Sequence, residues 1–185
     1  MSAEPPPHAV LLRDFANTVD ADAGTDALTS PADLSRWLHD HGLLPGGTAA
    51  TARDLRLAHR LRAGLRAAMA AHHGNQDAAK SQDVTARLPV RLDLDADPPR
   101  LRAVAGGVAG ALTELVIAVA DAAADGSWER LKICPAGDCR WAFFDASKNQ
   151  SRTWCAMRVC GNRAKTRSYR ARTGAGAVPV GTRRP

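Results

Sequence analysis

Aromatic residues make up only 4% of this 185-residue chain, eight side chains in all. The apolar remainder is mostly Ala, Leu and Val. Ala and Leu favour helices over strands, so the composition points to a helical protein. A continuous run of about 18 apolar residues, the length a membrane-spanning helix needs, is missing. The longest apolar stretch, Leu115 to Ala120, is bracketed by Glu114 and Asp121. The first residues, with Glu4 and three prolines, lack the basic and apolar regions of a secretory signal. They read as a leader through Pro7, and a cytoplasmic location without membrane contact is expected. Internal repeats are absent.

Residues 1–127 also lack a catalytic constellation. His39 and His41 stand two apart and His72 and His73 are adjacent, whereas two ligands on one helical face stand four apart. All six histidines are expected in structural or surface roles, and no enzyme activity is expected. What is present is ample apolar content, 45% of the chain, enough for a packed core. The net charge of +6 conceals a division along the chain. Residues 1–127 carry 12 Lys and Arg against 16 Asp and Glu, whereas residues 128–185 carry 13 against 3. A mildly acidic body followed by a strongly basic segment points to a polyanionic partner for the latter.

The body divides into recognisable elements. Val10 to Thr18 reads as the start of a helix or a short ordered segment, and Asp20 to Thr29 as polar turns. Ser30 is an N-cap with Pro31 at the first helical position; Leu34, Trp37 and Leu38 share a face, and Gly42 stops the run. Thr48 is expected to cap a long helix whose apolar face holds Leu55, Ala58, Leu61, Leu65, Ala68 and Met69, with the arginines mostly on the other face. That helix ends at His72–Gly74. Residues 77–85 show no clear period. From Pro89 to Val104, Val90, Leu92 and Leu94 alternate with charged residues, the period of a half-buried strand, and a β-hairpin over about 89–104 is expected. Val108 to Ala124 is apolar nearly all round and reads as the buried central helix, closed by Asp125-Gly126-Ser127.

The four cysteines carry the clearest signal. Cys134 and Cys139 form one C-x4-C pair, Cys155 and Cys160 a second, with fifteen residues between. Two close pairs joined by a returning loop suit a tetrahedral four-thiolate site, and zinc is expected ahead of an iron–sulfur cluster. One structural Zn2+ per chain leaves no open coordination position. Disulfides are the remaining alternative, disfavoured in a reducing compartment. Pro135 and Gly137 supply turn residues to the first pair. Trp141, Phe143, Phe144 and Trp154, half of the chain's aromatics, lie between the pairs and suggest a small local core. Such a module would draw much of its folding free energy from the metal. A basic helix follows Cys160, with Arg163, Lys165, Arg167, Arg170 and Arg172 wrapping most of it. A knuckle, a β-hairpin and a second knuckle opening a helix describe a treble-clef-like finger.

The segment from Cys134 to Arg172 resembles the CGNR zinc finger, whose signature stands here as Cys160-Gly161-Asn162-Arg163, flanked by C-x4-C-R-W-x-F-F-D and R-x-W-C. The run Asp14-Phe15-Ala16-Asn17-Thr18, with the elements after it, resembles the ABATE domain that precedes this finger. The resemblance implies a stress-induced transcription regulator, with RNA binding also suggested for the family. The expected fold is therefore mainly α with a small β-hairpin: a helical domain over residues 1–127, a zinc finger over 128–172 and a disordered tail over 173–185.

A DNA-binding regulator is the leading expectation. Lys148, Arg152, Arg158, Arg163, Lys165, Arg167 and Arg170 are the candidate phosphate contacts. Two roles fit Arg163: a base contact from the helix start, or a brace that bonds a knuckle carbonyl or pairs with Asp145. Core packing is expected of Trp141 and Trp154, with base stacking the alternative for Trp154. RNA is the alternative partner, and a protein-docking module with a purely structural zinc is a third reading. The body, with Asn17, Thr18 and Trp37 near its start, is a candidate small-ligand enclosure or a platform for a homodimer.

Overall fold

The computed structural model describes residues 4–72 and 85–174. The expected disordered tail therefore lies outside the described residues beyond 174, as does most of the aperiodic stretch 77–85. Local chemistry starts the helices. Ser30 accepts a hydrogen bond from the Asp33 N–H (3.2 Å) while the Asp33 carboxylate accepts from the Ser30 N–H (2.9 Å). This reciprocal box opens α2 (Pro31–Asp40). The same box, built by Thr51 and Asp54, opens α3 (Ala52–Ala71). The cap of α3 is thus Thr51 rather than Thr48, because only Thr51 has a carboxylate three residues on. α1 (Pro7–Ala16) begins earlier than Val10, with Pro6 as its cap, so the leader ends before Pro7. α4 (Gly107–Ala124) matches the expected central helix, and Gly126 turns the chain after it with φ +75°.

These helices pack into one core. Leu12 and Phe15 of α1, Leu34 and Leu38 of α2, Leu65 and Met69 of α3, and Leu112 and Leu115 of α4 are buried together. α4 is long and apolar enough, at a mean hydropathy of 1.6, to cross a membrane by length and composition alone. Half of it is buried inside the protein against α1 and neighbouring elements, so core packing accounts for its apolarity.

Three short antiparallel pairs accompany the helices among the described residues. β1 (Val19–Asp20) and β2 (Thr25–Asp26) form a small hairpin within the stretch expected to be turns. Its tip is held by the Asp20 carboxylate, which accepts from the Asp22 and Ala23 N–H groups. β3 (Val90–Asp93) pairs with β4 (Arg100–Ala103), inside the expected 89–104 hairpin. The alternation there does not mark a half-buried strand: Val90 and Leu92 are exposed, because α4 covers β4 and not its partner. β5 (Leu131–Ile133) and β6 (Ala142–Phe144) form the third pair.

Arginines on α3 are not confined to solvent. Arg62 is buried and forks onto the Asp26 carboxylate (2.7 and 2.6 Å) while donating to Thr18 Oγ1 (2.8 Å), which pins β2 against α3. Arg66 donates to the backbone carbonyls of Ala16 (2.7 Å) and Arg140 (2.8 Å). Burial and the nearby Arg140 and Arg62 charges lower its pKa. Several histidines act as braces: His59 bonds the Leu28 carbonyl and His72 the Leu131 carbonyl. His73 lies outside the described residues.

Candidate metal centre and basic helix

The first cysteine pair is the turn of the β5–β6 hairpin. The Cys134 N–H donates to the Trp141 carbonyl (2.8 Å), which closes the ladder. The N–H groups of Cys139 and Arg140 converge on the Ala136 carbonyl (3.0 and 3.1 Å), folding the knuckle. Arg140 completes the reversal at φ +54°. This differs from the expected order of knuckle followed by hairpin, since the hairpin itself carries the knuckle. Among the described residues no strand lies between Phe144 and Cys155.

That intervening loop is organised by Asp145, which is fully buried. Its carboxylate accepts from Lys132 Nζ (2.7 Å), the Arg152 N–H (2.9 Å), and the Ser147 N–H (3.0 Å) and hydroxyl (2.6 Å). Burial alone would raise its pKa, but the Lys132 ammonium and these donors outweigh burial and hold it at about 2. Lys132, itself buried, also donates to the Gln150 carbonyl. The Arg163–Asp145 pair considered from sequence is therefore replaced by Lys132–Asp145.

The second pair returns beside the first. The N–H groups of Val159, Cys160 and Gly161 all donate to the Ala156 carbonyl, forming a single π turn (Met157–Gly161) that runs into α5 (Asn162–Gly174). Cys139 and Cys155 sulfurs lie 3.5 Å apart, Cys155 and Cys160 sulfurs 3.6 Å apart. All four ligand atoms fall within 4.8 Å of one another. A tetrahedron with zinc–sulfur bonds of about 2.3 Å has edges of about 3.8 Å, so the four sulfurs fit that ion. A disulfide needs sulfurs at about 2.05 Å, and all four thiols are free. Three cysteines are buried and Cys155 is half-buried, and with Ala136, Phe143 and Trp154 they make a second small core.

The thiols are unequal. Burial pushes Cys139 and Cys155 up, and the neighbouring thiols push Cys155 further. Burial acts the same way on Cys160, but the Arg163 guanidinium at its sulfur (3.6 Å) and the adjacent thiols outweigh it and hold the group below an ordinary thiol. Gly161 lets this packing close: a Cβ there would stand 2.3 Å from Met157 Sδ and 3.2 Å from Trp154 Cδ1.

The candidate phosphate contacts divide into two groups. Lys148, Arg158, Lys165, Arg167 and Arg170 are exposed, the last three on α5. Arg152 and Arg163 are engaged within the finger. Arg152 donates to the carbonyls of Trp154 and Cys155 and lies 5.0 Å above the Phe143 ring. Arg163 donates to Asp138 (3.1 Å), which sits in the first knuckle and also receives Arg167 (3.4 Å). Asp22, at the tip of the β1–β2 hairpin, stands 3.7 Å from Arg163. Asp138 was not singled out from sequence, because nothing local to a knuckle turn tells which distant cation it receives.

Residues considered as a ligand enclosure are largely used internally. The Asn17 amide donates to the Ala142 carbonyl (2.9 Å) and accepts from its N–H (2.8 Å), extending the β6 edge. Thr18 receives Arg62 and donates to Phe15, and Trp37 stacks on His41. A cleft of about 570 Å³ does lie between α1 and the finger, lined by Arg13, Asn17, Trp141, Phe143 and Arg152 among others. Trp141 at this cleft is 38% exposed, so the core role expected of it falls to Phe143 and Phe144.

Comparison with known families agrees with this geometry. A family model for the CGNR zinc finger matches residues 130–173. The ABATE model, described as "Putative stress-induced transcription regulator", matches residues 9–126. No curated protein matches the chain. With most of its length matched by the first domain and the four-sulfur site inside the second, the chain belongs to the ABATE family and carries a CGNR zinc finger.

Proposed function

We propose that this protein is a transcription regulator answering to stress, in which the zinc-loaded finger lays α5 against duplex DNA. The observation that carries this reading is α5 itself. Residues 162–174 hold Arg163, Lys165, Arg167, Arg170 and Arg172 and no acidic residue. Lys165, Arg167, Arg170 and Arg172 are exposed, and the helix packs chiefly on the turn before it. Zinc, one ion per chain on Cys134, Cys139, Cys155 and Cys160, is structural in this reading and sets the angle at which α5 leaves the body. No catalytic role is assigned, and the free thiols suit the reducing cytoplasm. Arg163 acts as a brace here, through Asp138 and the Cys160 sulfur, and leaves phosphate contact to the residues beyond it.

Affinity of zinc-loaded protein for duplex DNA across a salt series tests the proposal. Four phosphates neutralised by the four exposed cations of α5 give a log–log slope of about −3.6. Arg170→Ala is expected to reduce that slope by about one. Single-stranded RNA is the second reading, favoured by the exposed Trp141 ring beside Arg152, since an exposed aromatic stacks on unpaired bases. Tighter binding to RNA that is lost in Trp141→Ala would replace the first reading. Binding to neither at low salt would leave α5 as a docking helix for an acidic protein.

A further inference from the structure

The outer strand of the β3–β4 hairpin leaves Val90, Arg91 and Leu92 exposed. Val90 and Leu92 share a face with their register partners Ala103 and Leu101. That face turns toward α4, where a Cβ at Gly110 would stand 4.0 Å from the Ala103 Cβ. The helix stops short of β3, which leaves Val90 39% and Leu92 58% exposed.

The backbone phase of this edge follows from one bond. The Val104 N–H donates to the Pro89 carbonyl (3.2 Å), and the register runs one-to-one from Val90↔Ala103 to Asp93↔Arg100. Hydrogen-bonded and non-bonded pairs alternate in an antiparallel ladder. Arg91 and Asp93 therefore direct their backbone groups to β4, while Val90 and Leu92 direct theirs outward. Among the described residues the sheet has two strands, so no strand meets those groups.

We propose that this edge pairs with the same edge of a second copy, joining two molecules through a continuous four-stranded antiparallel sheet. The occupant is identified by self-complementarity. The segment Val90-Arg91-Leu92-Asp93-Leu94 pairs with itself when two copies run antiparallel about Leu92. Leu92 then meets its own mate as a hydrogen-bonded pair, in the phase that the outward backbone groups require. Val90 meets Leu94 of the second copy, and Arg91 meets Asp93 of the second copy. Within one chain Arg91 stands opposite Arg102, whose guanidinium lies 3.4 Å from Asp93, so in the dimer that carboxylate sits between Arg102 of its own chain and Arg91 of the second copy. A two-fold axis perpendicular to the sheet sets both α4 helices on one face, with Val90 and Leu92 of both copies between them. Five-residue edges bury less than the roughly 1,200 Å² of a standard interface, so the proposed dimer is a reversible association rather than an obligate one. The pairing is independent of what α5 binds.

Sedimentation velocity of the zinc-loaded full chain, from about 1 to 100 μM, tests the proposal with two variants. A concentration-dependent monomer–dimer equilibrium is expected. Arg91→Glu sets two carboxylates against each other across the two-fold while offering Arg102 an opposite charge within the chain. It should weaken dimerisation about tenfold without lowering the unfolding midpoint. Leu92→Pro removes an N–H that points outward and no bond to β4, and should leave a monomer; if it disturbs the hairpin, Arg91→Glu decides alone. A monomer throughout the concentration range, or a dimer indifferent to Arg91→Glu, overturns the proposal.

Discussion

The first knuckle hangs from a hairpin whose side chains Leu131, Ile133, Ala142 and Phe144 are buried in the same core as the helices. Side chains of Asn17, Arg66 and His72 bond its backbone carbonyls and tie that hairpin to the body at three further points. Among the described residues, the second knuckle and α5 add no side chain to that core. Their contacts to the rest of the protein include the sulfur cluster, the loop around Asp145, the Arg163 and Arg167 contacts to Asp138, and the approach of Arg163 to Asp22 on the β1–β2 hairpin. One half of the finger is thus built into the core of the body, and the other gathers around the four-sulfur cluster. With zinc on the four sulfurs, as proposed, its binding free energy would act chiefly on the half that presents the basic helix.

Chelation is the sharpest way to break this comparison. Structural zinc sites contribute on the order of 10–16 kcal/mol, as much as the whole stability of an ordinary domain. Amide exchange with and without a chelator should show protection lost over residues 155–172 and kept in β5. Loss of protection in both halves together would mean that the finger is a single unit.

Next in size is the buried ion pair that ties the loop to the hairpin. Asp145→Asn leaves the Lys132 ammonium buried without its counter-ion and should cost about 3–5 kcal/mol in urea unfolding. The same pair predicts an acid limb. Asp145 is held at about 2 in the folded protein, below the usual 3.8, so its stabilisation is complete above pH 4 and is lost as pH falls from 4 through 2. In Asp145→Asn that part of the acid limb should be flatter.

Asn17→Ala probes the body side. It leaves the Ala142 N–H and carbonyl without their amide partner and should cost about 1–3 kcal/mol of global stability. Zinc affinity measured by competition with a chromogenic chelator should change little. The converse is expected of Gly161→Ala, where the added methyl meets Met157 and Trp154. The exposed Met157 side chain can give way, so the cost is about 1 kcal/mol, roughly fivefold in zinc affinity, with the unfolding of the body unchanged.

Legibility in the sequence followed the range of each interaction. Ser30-Pro31 and the apolar face of α2 were readable because caps and helical faces are set within a few residues. Thr48 was expected to cap α3, but the signal that marks the true cap is local as well: Thr51 has Asp54 three residues on and Thr48 has no such carboxylate. The arginines of α3 misled, because a long side chain such as Arg62 is exposed or buried according to whether a carboxylate awaits it. Its partner Asp26 lies 36 residues away. Alternation over Val90–Leu94 marked a strand correctly, while its burial depended on how far across the hairpin α4 reaches.

The amino-acid sequence by itself determined the ligand set, since two C-x4-C pairs confine four sulfurs to two turns, and it determined the charge division that makes residues 162–174 basic. Tertiary structure alone decided that the hairpin of the first knuckle belongs to the body, that Lys132 rather than Arg163 neutralises Asp145, and that Asp138 receives the arginine of the C-G-N-R signature. These pairings join residues 13 to 125 positions apart. No local pattern encodes them, because each is selected by which groups the packed core leaves buried and in need of a partner.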